Sequence, residues 1–377
     1  MSSFSLFGEL VLLGLIQLGG FGIMTIGSVF ALVASRRIGL RQRMLAQAEI
    51  GAVDIGELRA LIGAIAKITI GVELSIAAIL FVHLAFEDDT SIGRAAYSGL
   101  FHGVSAFNNA GISLYSDSLT QFASDPFVVF PITAAFIIGG FGFPVLVEFG
   151  RRVKPRRWSL HTRITVAATA VLLFAGPFLV LVLEWTNEGT LGPMSVWDKL
   201  QAAWFQGVTP RTAGFNTIDI GAMHDETLNI MTGLMFIGAG PASTSGGIKV
   251  TTFAVIGYAM WSEVRGDSDI TVFRRRLPVG ISRQSDDHCA AVAHDHCSAA
   301  VISTPSRRSH SPDVVRAASA FHTVGLSASI LSLPVFGQVL LVIVMLAGRR
   351  TDTFVMALAL RNRQRAYRYP EERPIIG

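Results

Sequence analysis

Charge is what this chain has least of. Of its 377 residues only 15% are Asp, Glu, Lys or Arg, while 51% are hydrophobic, and the mean hydropathy is +0.50. A soluble domain carries about 25% charged residues, so the shortage argues for a polytopic membrane protein. Cysteine is nearly missing: Cys289 and Cys297 are the only two, which excludes a disulfide-stapled scaffold and leaves the redox compartment undetermined. The net charge is +4, and the basic residues sit at the ends of apolar segments rather than on one face, which excludes a nucleic-acid partner. No catalytic constellation is present, so an enzyme is not expected. The N-terminal apolar run has neither the basic region nor the cleavage site of a signal peptide and reads as a mature span.

What is abundant is long hydrophobic segments. Candidate spans are Leu6 to Val33, Leu58 to Phe86, Phe127 to Phe149, Ile164 to Trp185, Leu228 to Trp261 and Val335 to Leu360. All but the interrupted fifth approach or exceed the ~20 residues a helix needs to cross a bilayer. Basic clusters follow the first (Arg36, Arg37, Arg41, Arg43), the third (Arg151, Arg152, Lys154, Arg156, Arg157), the fifth (Arg274 to Arg276) and the sixth (Arg361, Arg363, Arg365, Arg368). The positive-inside rule makes these ends cytoplasmic. Acidic residues such as Glu87, Asp88, Asp117, Asp125, Glu184 and Asp219 mark the opposite ends.

On that outer side three short segments read alike: Ser105 to Ser113, Thr209 to Thr217 and Ser319 to Ser327, each with one glycine after a small or polar run. The glycines recur at roughly a hundred residues, far beyond solenoid periods of ~20–50 and about what two spans plus a loop require. Each unit is therefore expected to be an ascending helix, an outer half-helix (Ile92 to Phe107, Val196 to Val208), a glycine strand and a descending helix. The expected architecture is an all-α polytopic membrane protein of repeated helix–pore loop–helix units around a central ion pore. Its expected divisions are 1–57 (second helix of a truncated first repeat, with a cytoplasmic loop), 58–161 (second repeat), 162–276 (third repeat), 277–316 (anomalous polar segment) and 317–377 (pore loop and second helix of the fourth repeat, with a cytoplasmic tail). The first unit lacks its first helix and glycine loop, and Gly19-Gly20-Phe21-Gly22 echoes Gly139-Gly140-Phe141-Gly142 in the third span. The last unit lacks a hydrophobic first helix; in its place Ser282 to Arg316 is filled with Asp, His, Ser and Arg, which reads as a frameshift. Within it His288, Cys289, His294, His296 and Cys297 could suit zinc, but the spacing is not a finger pattern and no metal ligand is placed there.

Non-helical backbone survives in hydrocarbon only when it is buried in protein or lines a water-filled path. Three glycine strands are thus expected to meet at a pore, their carbonyl oxygens replacing the hydration shell of an alkali cation. The half-helices would aim negative C-terminal ends at it, each favouring the ion by ~0.3–2 kcal/mol. Filter positions are Asn109, Ala110, Gly111, Thr212, Ala213, Gly214, Thr323, Val324 and Gly325. A second feature, Gly238, Gly240, Pro241, Ser243, Thr244, Gly246, Gly247 and Lys249, interrupts the fifth segment and reads as a gating loop below the filter; a simple kink lined by small residues is the alternative. Lys249 and Arg349 are intramembrane cations that need water or a partner; either serves as a gate or barrier charge or snorkels to the inner interface.

The segments Gly19 to Thr25, Ser105 to Gly111, Arg211 to Thr217, Ser243 to Lys249 and Tyr367 to Arg373 resemble the Trk/Ktr/HKT superfamily of potassium-translocating subunits, most of all its bacterial Ktr-type branch. The resemblance implies four helix-loop-helix repeats about one pore, potassium as the ion, and one filter glycine per repeat, with Gly111, Gly214 and Gly325 in the second to fourth. It also implies a homodimer in the bilayer of the bacterial inner membrane, a cytoplasmic C-terminus, a cytosolic nucleotide-binding regulatory ring and no organic cofactor. Arg349 fits the family's pore-facing arginine, whereas Arg350 and Asp352 depart from its pattern. Three strands do not close a four-sided cage, so an alternative is a truncated, non-conducting membrane subunit with only an assembly role.

Overall fold

The computed structural model describes residues 4–36, 55–86, 91–151, 154–267, 269–273, 275–277, 310–327, 336–346 and 348. It is mostly helical. Helix α1 (Leu6–Arg36) is followed by α2 (Ile55–Ala85) and by the half-helix α3 (Ile92–Phe107). Then come α4 (Pro126–Phe141), α5 (Phe143–Gly150) and α6 (Leu160–Glu184), the second half-helix α7 (Val196–Val208), α8 (Asp225–Phe236) and α9 (Val250–Arg265). A two-residue antiparallel hairpin, β1 (Thr271–Val272) with β2 (Arg275–Arg276), is a small departure from an all-α fold. It is braced by an Asp269–Arg276 ion pair at 2.6 Å. The helix α10 (His310–Phe321) and the short apolar helix α11 (Phe336–Leu346) complete the described residues.

Among the described residues three helices are long and apolar enough to cross a membrane, in α1, α2 and α6, and the bent pair α4 and α5 would make a fourth span. Their apolar side chains point outward, as lipid requires: Val171, Phe174, Phe178 and Val182 form one exposed face of α6, while Thr162, Thr165, Thr169 and Glu184 are buried on the other. Each half-helix packs chiefly on the long helix before it, α3 on α2 and α7 on α6, whereas α10 packs on α8. Small residues permit these approaches. A Cβ on Gly103 of α3 would lie 2.9 Å from the Glu73 carbonyl oxygen of α2.

The sequence suggests one continuous third span from Phe127 to Phe149; the structure divides it. Helices α4 and α5 meet at Gly142 with a bend of 103°. The reason is local. Pro144 begins α5, and in an unbroken helix its ring would strike the carbonyl four residues earlier, that of Gly140. Gly142 takes up the turn at φ 84°, ψ 150°, a region open essentially to glycine alone. The echoing run Gly19 to Gly22 has Ile23 and Met24 after it instead of a proline, and α1 passes straight through it.

One further difference concerns the last third of the chain. Helix α10 begins at His310, so it crosses the division expected at residue 316. The candidate metal residues His288, Cys289, His294, His296 and Cys297, and most of the anomalous polar segment, lie outside the described residues, as does Arg349.

Gly142→Ala is expected to destabilise the protein by about 1–3 kcal/mol through backbone strain. Gly63→Ala, at a helical site with open space around it, should be neutral or stabilising by up to about 1 kcal/mol. Thermal unfolding of the detergent-solubilised chain, followed by size-exclusion chromatography, checks both.

Candidate ion-conduction site

All three half-helices end in the same way. After α3 the chain places Asn109 at φ 52° and Gly111 at φ 66°; after α7, Thr212 at 67° and Gly214 at 81°; after α10, Thr323 at 55° and Gly325 at 93°. A left-handed residue, an ordinary one and a left-handed glycine therefore follow each helix. For α3 and α10 this is a Schellman cap: Ala110 N donates to Ser105 O at 2.9 Å and Val324 N to Ser319 O at 2.8 Å. In the remaining loop Ala213 N donates to Thr209 O at 3.0 Å. Asn and glycine tolerate these angles readily, threonine less so.

The three glycines converge. A Cβ on Gly111 would lie 2.7 Å from the Ala213 carbonyl oxygen, one on Gly214 would strike the Val324 carbonyl oxygen, and one on Gly325 would come 3.9 Å from that of Ala110. Each glycine thus faces the carbonyl of the residue before another glycine, and the strands abut at this point. The C-terminal residues of the half-helices, Ser105 to Phe107, Phe205 to Val208 and Ser319 to Phe321, are buried around it with the exception of none. Helix C-termini carry partial negative charge, and carbonyl oxygens are hard ligands for alkali cations. The arrangement is chemically suited to a cation and not to an anion.

The loop between α8 and α9 lies against these strands. It is closed at its base by Gly238 N to Ile248 O at 2.8 Å and Val250 N to Ala239 O at 3.0 Å. Its midpoint docks on the break at Gly142 through two backbone hydrogen bonds: Gly240 N donates to Gly140 O at 2.8 Å, and Phe143 N to Ala242 O at 3.1 Å. The carbonyl that Pro144 leaves unpaired is thereby satisfied. Thr244 Oγ1 donates to Phe107 O at 3.3 Å, at the end of α3. The hydroxyls of Thr212 and Ser245 share a hydrogen bond, tying a glycine strand directly to the loop. Ser243 is buried, Ala242 and Gly247 have φ of 55° and 72°, and Lys249 Nζ donates to Ser245 O at 2.7 Å.

The structure therefore gathers Asn109 to Gly111, Thr212 to Gly214 and Thr323 to Gly325 at one locus, with Gly238 to Lys249 beside it. Sequence reading passed over Gln17, Glu73 and Asn108. Asn108 Nδ2 donates to Glu73 Oε1 at 2.8 Å and to Gln17 Oε1 at 3.2 Å, and Gln17 Nε2 donates to Glu73 Oε2 at 3.1 Å. The available signal was an acidic residue in the middle of an apolar span, which by itself marks a functional position.

Known proteins resemble this chain closely. A family profile described as TrkH, cation transport protein, matches residues 1–281. The Ktr system potassium uptake protein B of Bacillus subtilis (strain 168) is 37% identical over 385 residues, covering 100% of this chain and 84% of that protein. Its namesake from Vibrio alginolyticus is 34% identical over 388 residues, covering 99% and 83%. The crystal structure of the potassium transporter TrkH from Vibrio parahaemolyticus superposes with a TM-score of 0.71 at 16% identity, over 94% of this chain and 73% of that one; this likeness concerns the fold alone.

Thr212→Val removes the hydroxyl shared with Ser245 and is expected to cost about 0.5–1.5 kcal/mol, and Ser245→Ala about the same. In a double-mutant cycle the two losses should be less than additive. Additive losses in thermal unfolding would mean that the strand and the loop are not coupled there.

Proposed function

The chain belongs to the TrkH cation transport family, and from that premise we propose how it acts as a potassium uptake transporter rather than an enzyme. Potassium enters at the meeting point of the three glycine strands, where carbonyl oxygens of Ala110, Ala213 and Val324 and their neighbours substitute for water in its hydration shell. The observation that carries this reading is the repeated left-handed pair ending in Gly111, Gly214 and Gly325, together with the mutual approach of those glycines. A glycine is needed at each because a Cβ would both strain the backbone and occupy the space next to the facing carbonyl. Passage requires the abutting strands to part enough to admit the ion.

In the same reading Gly238 to Lys249 is the gate. Its small side chains and its hydrogen bonds to Gly140, Phe143, Phe107 and Thr212 support a loop that rests against the ion path and shifts by exchanging a few bonds. Lys249 and Arg349 are proposed as charges on the path below it. The repeats are proposed to surround one axis in a bacterial inner membrane, with the C-terminus in the cytoplasm. Two copies of the chain would associate in the bilayer, and a cytosolic nucleotide-binding ring would set the gate; the names of the relatives, which assign them to a Ktr system, support a partner of some kind.

Expression of the chain in a bacterial host stripped of its own potassium uptake systems tests this. Growth at low potassium should be restored, and Gly111→Ser or Gly214→Ser should raise the potassium requirement at least about tenfold, equivalent to about 1.4 kcal/mol. Absence of rescue with the protein present in the membrane would favour a subunit that assembles without conducting.

A further inference from the structure

Glu73 stands in the middle of α2, in a span whose window runs from Arg59 to Ala85, and is only 4% exposed. An acidic side chain at that depth is costly and persists where it is partnered and used. Its two oxygens each accept an N–H, one from Asn108 at 2.8 Å and one from Gln17 at 3.1 Å. Both carboxyl oxygens are thereby satisfied, as a buried polar group requires. Gln17 Oε1 closes the triangle by accepting from Asn108. Three elements are joined in this way: α1 through Gln17, α2 through Glu73, and the end of α3 through Asn108. Room for the junction comes from Gly20, where a Cβ would fall on the Asn108 amide.

Asn108 directly precedes the strand Asn109-Ala110-Gly111. The corresponding residue of the next strand is a cation, Arg211, buried and donating through Nη2 to Thr169 Oγ1 at 3.4 Å. The two strands are therefore backed by different groups, one by the Glu73 carboxyl through Asn108 and the other by the Arg211 guanidinium itself. We propose that Glu73 is a positioning residue that sets ion preference: it fixes the strand of Gly111 through Asn108, and with it the spacing of the carbonyl oxygens at the meeting point of the glycines. This role rests on the reading of that point as the ion site. A residue that only held α1, α2 and α3 together would leave ion preference untouched, because loss of folded protein lowers the uptake of every ion equally.

The test uses the full chain, purified and reconstituted in liposomes. Uptake of a rubidium tracer is measured in competition with potassium and with sodium, and thermal unfolding is measured in each salt. Glu73→Gln keeps the shape but replaces one acceptor oxygen by an NH2 donor, which breaks the bond from Asn108 or from Gln17 and frees the strand; it should lower the potassium-over-sodium preference about tenfold. A ratio equal to that of the wild type overturns the role, even if the maximal rate falls. Should Glu73→Gln not be recovered folded, Glu73→Asp decides: retaining the carboxyl group while retracting it from Asn108 should shift the ratio at least about threefold, and an unchanged ratio overturns the role. If the wild type shows no potassium preference in flux or in unfolding, the ion-site reading fails, and this role with it. A wild-type preference that Glu73→Gln leaves intact counts against Glu73 alone.

Discussion

Backbone N–H and C=O groups that leave helical pairing inside a bilayer must find partners within the protein, because hydrocarbon offers none. Most of what distinguishes this fold follows from that constraint. Pro144 forbids a continuous helix through Gly142, which releases the Gly140 carbonyl, and the loop between α8 and α9 supplies its partner through Gly240 N. In return Ala242 O accepts from Phe143 N at the start of α5. Two irregular segments, neither tolerable alone at that depth, satisfy each other. The half-helices meet the same demand with their caps, folding the chain back on the last turn through Asn109 and Thr323.

Small and polar side chains share the interior with large apolar ones such as Phe101, Phe107, Phe205 and Phe215, while the exterior is lined by large apolar ones. Phe7, Phe174 and Phe178 face outward, while Ser105, Thr209, Thr217 and Ser245 are buried. Glycines set the distances: Gly99 and Gly103 let α3 lie on α2, and Gly176 and Gly207 bring the backbones of α6 and α7 together. This close packing delivers three helix ends to one place. In the same place the loop between α8 and α9 meets a glycine strand through the hydroxyls of Thr212 and Ser245, and the end of α3 through Thr244.

Much of the secondary structure was legible in the sequence. The half-helices Ile92–Phe107 and Val196–Val208 and the interruption between α8 and α9 coincide with their expected limits, because polar and glycine-rich borders are abrupt against apolar runs. The three similar strands could be recognised by their repeated glycine. The bend at Gly142 was not foreseen, since the echo of Gly19 to Gly22 drew notice to the shared glycines rather than to Pro144, the residue that differs. Helix α10 was obscured by its mean composition: His310 and Arg316 read as part of a polar stretch. The junction of Gln17, Glu73 and Asn108 depends on residues far apart in the chain, and only Glu73 left a local trace.

The central claim is that the glycine strands form the binding site of the transported ion. Diffraction or cryo-electron microscopy of the chain in potassium and then in thallium, whose anomalous or scattering signal identifies it, tests that claim directly. Density bounded by the carbonyls of Ala110, Ala213 and Val324 that changes with the ion is the predicted result. Ion density elsewhere, with those carbonyls still in mutual contact, would contradict it.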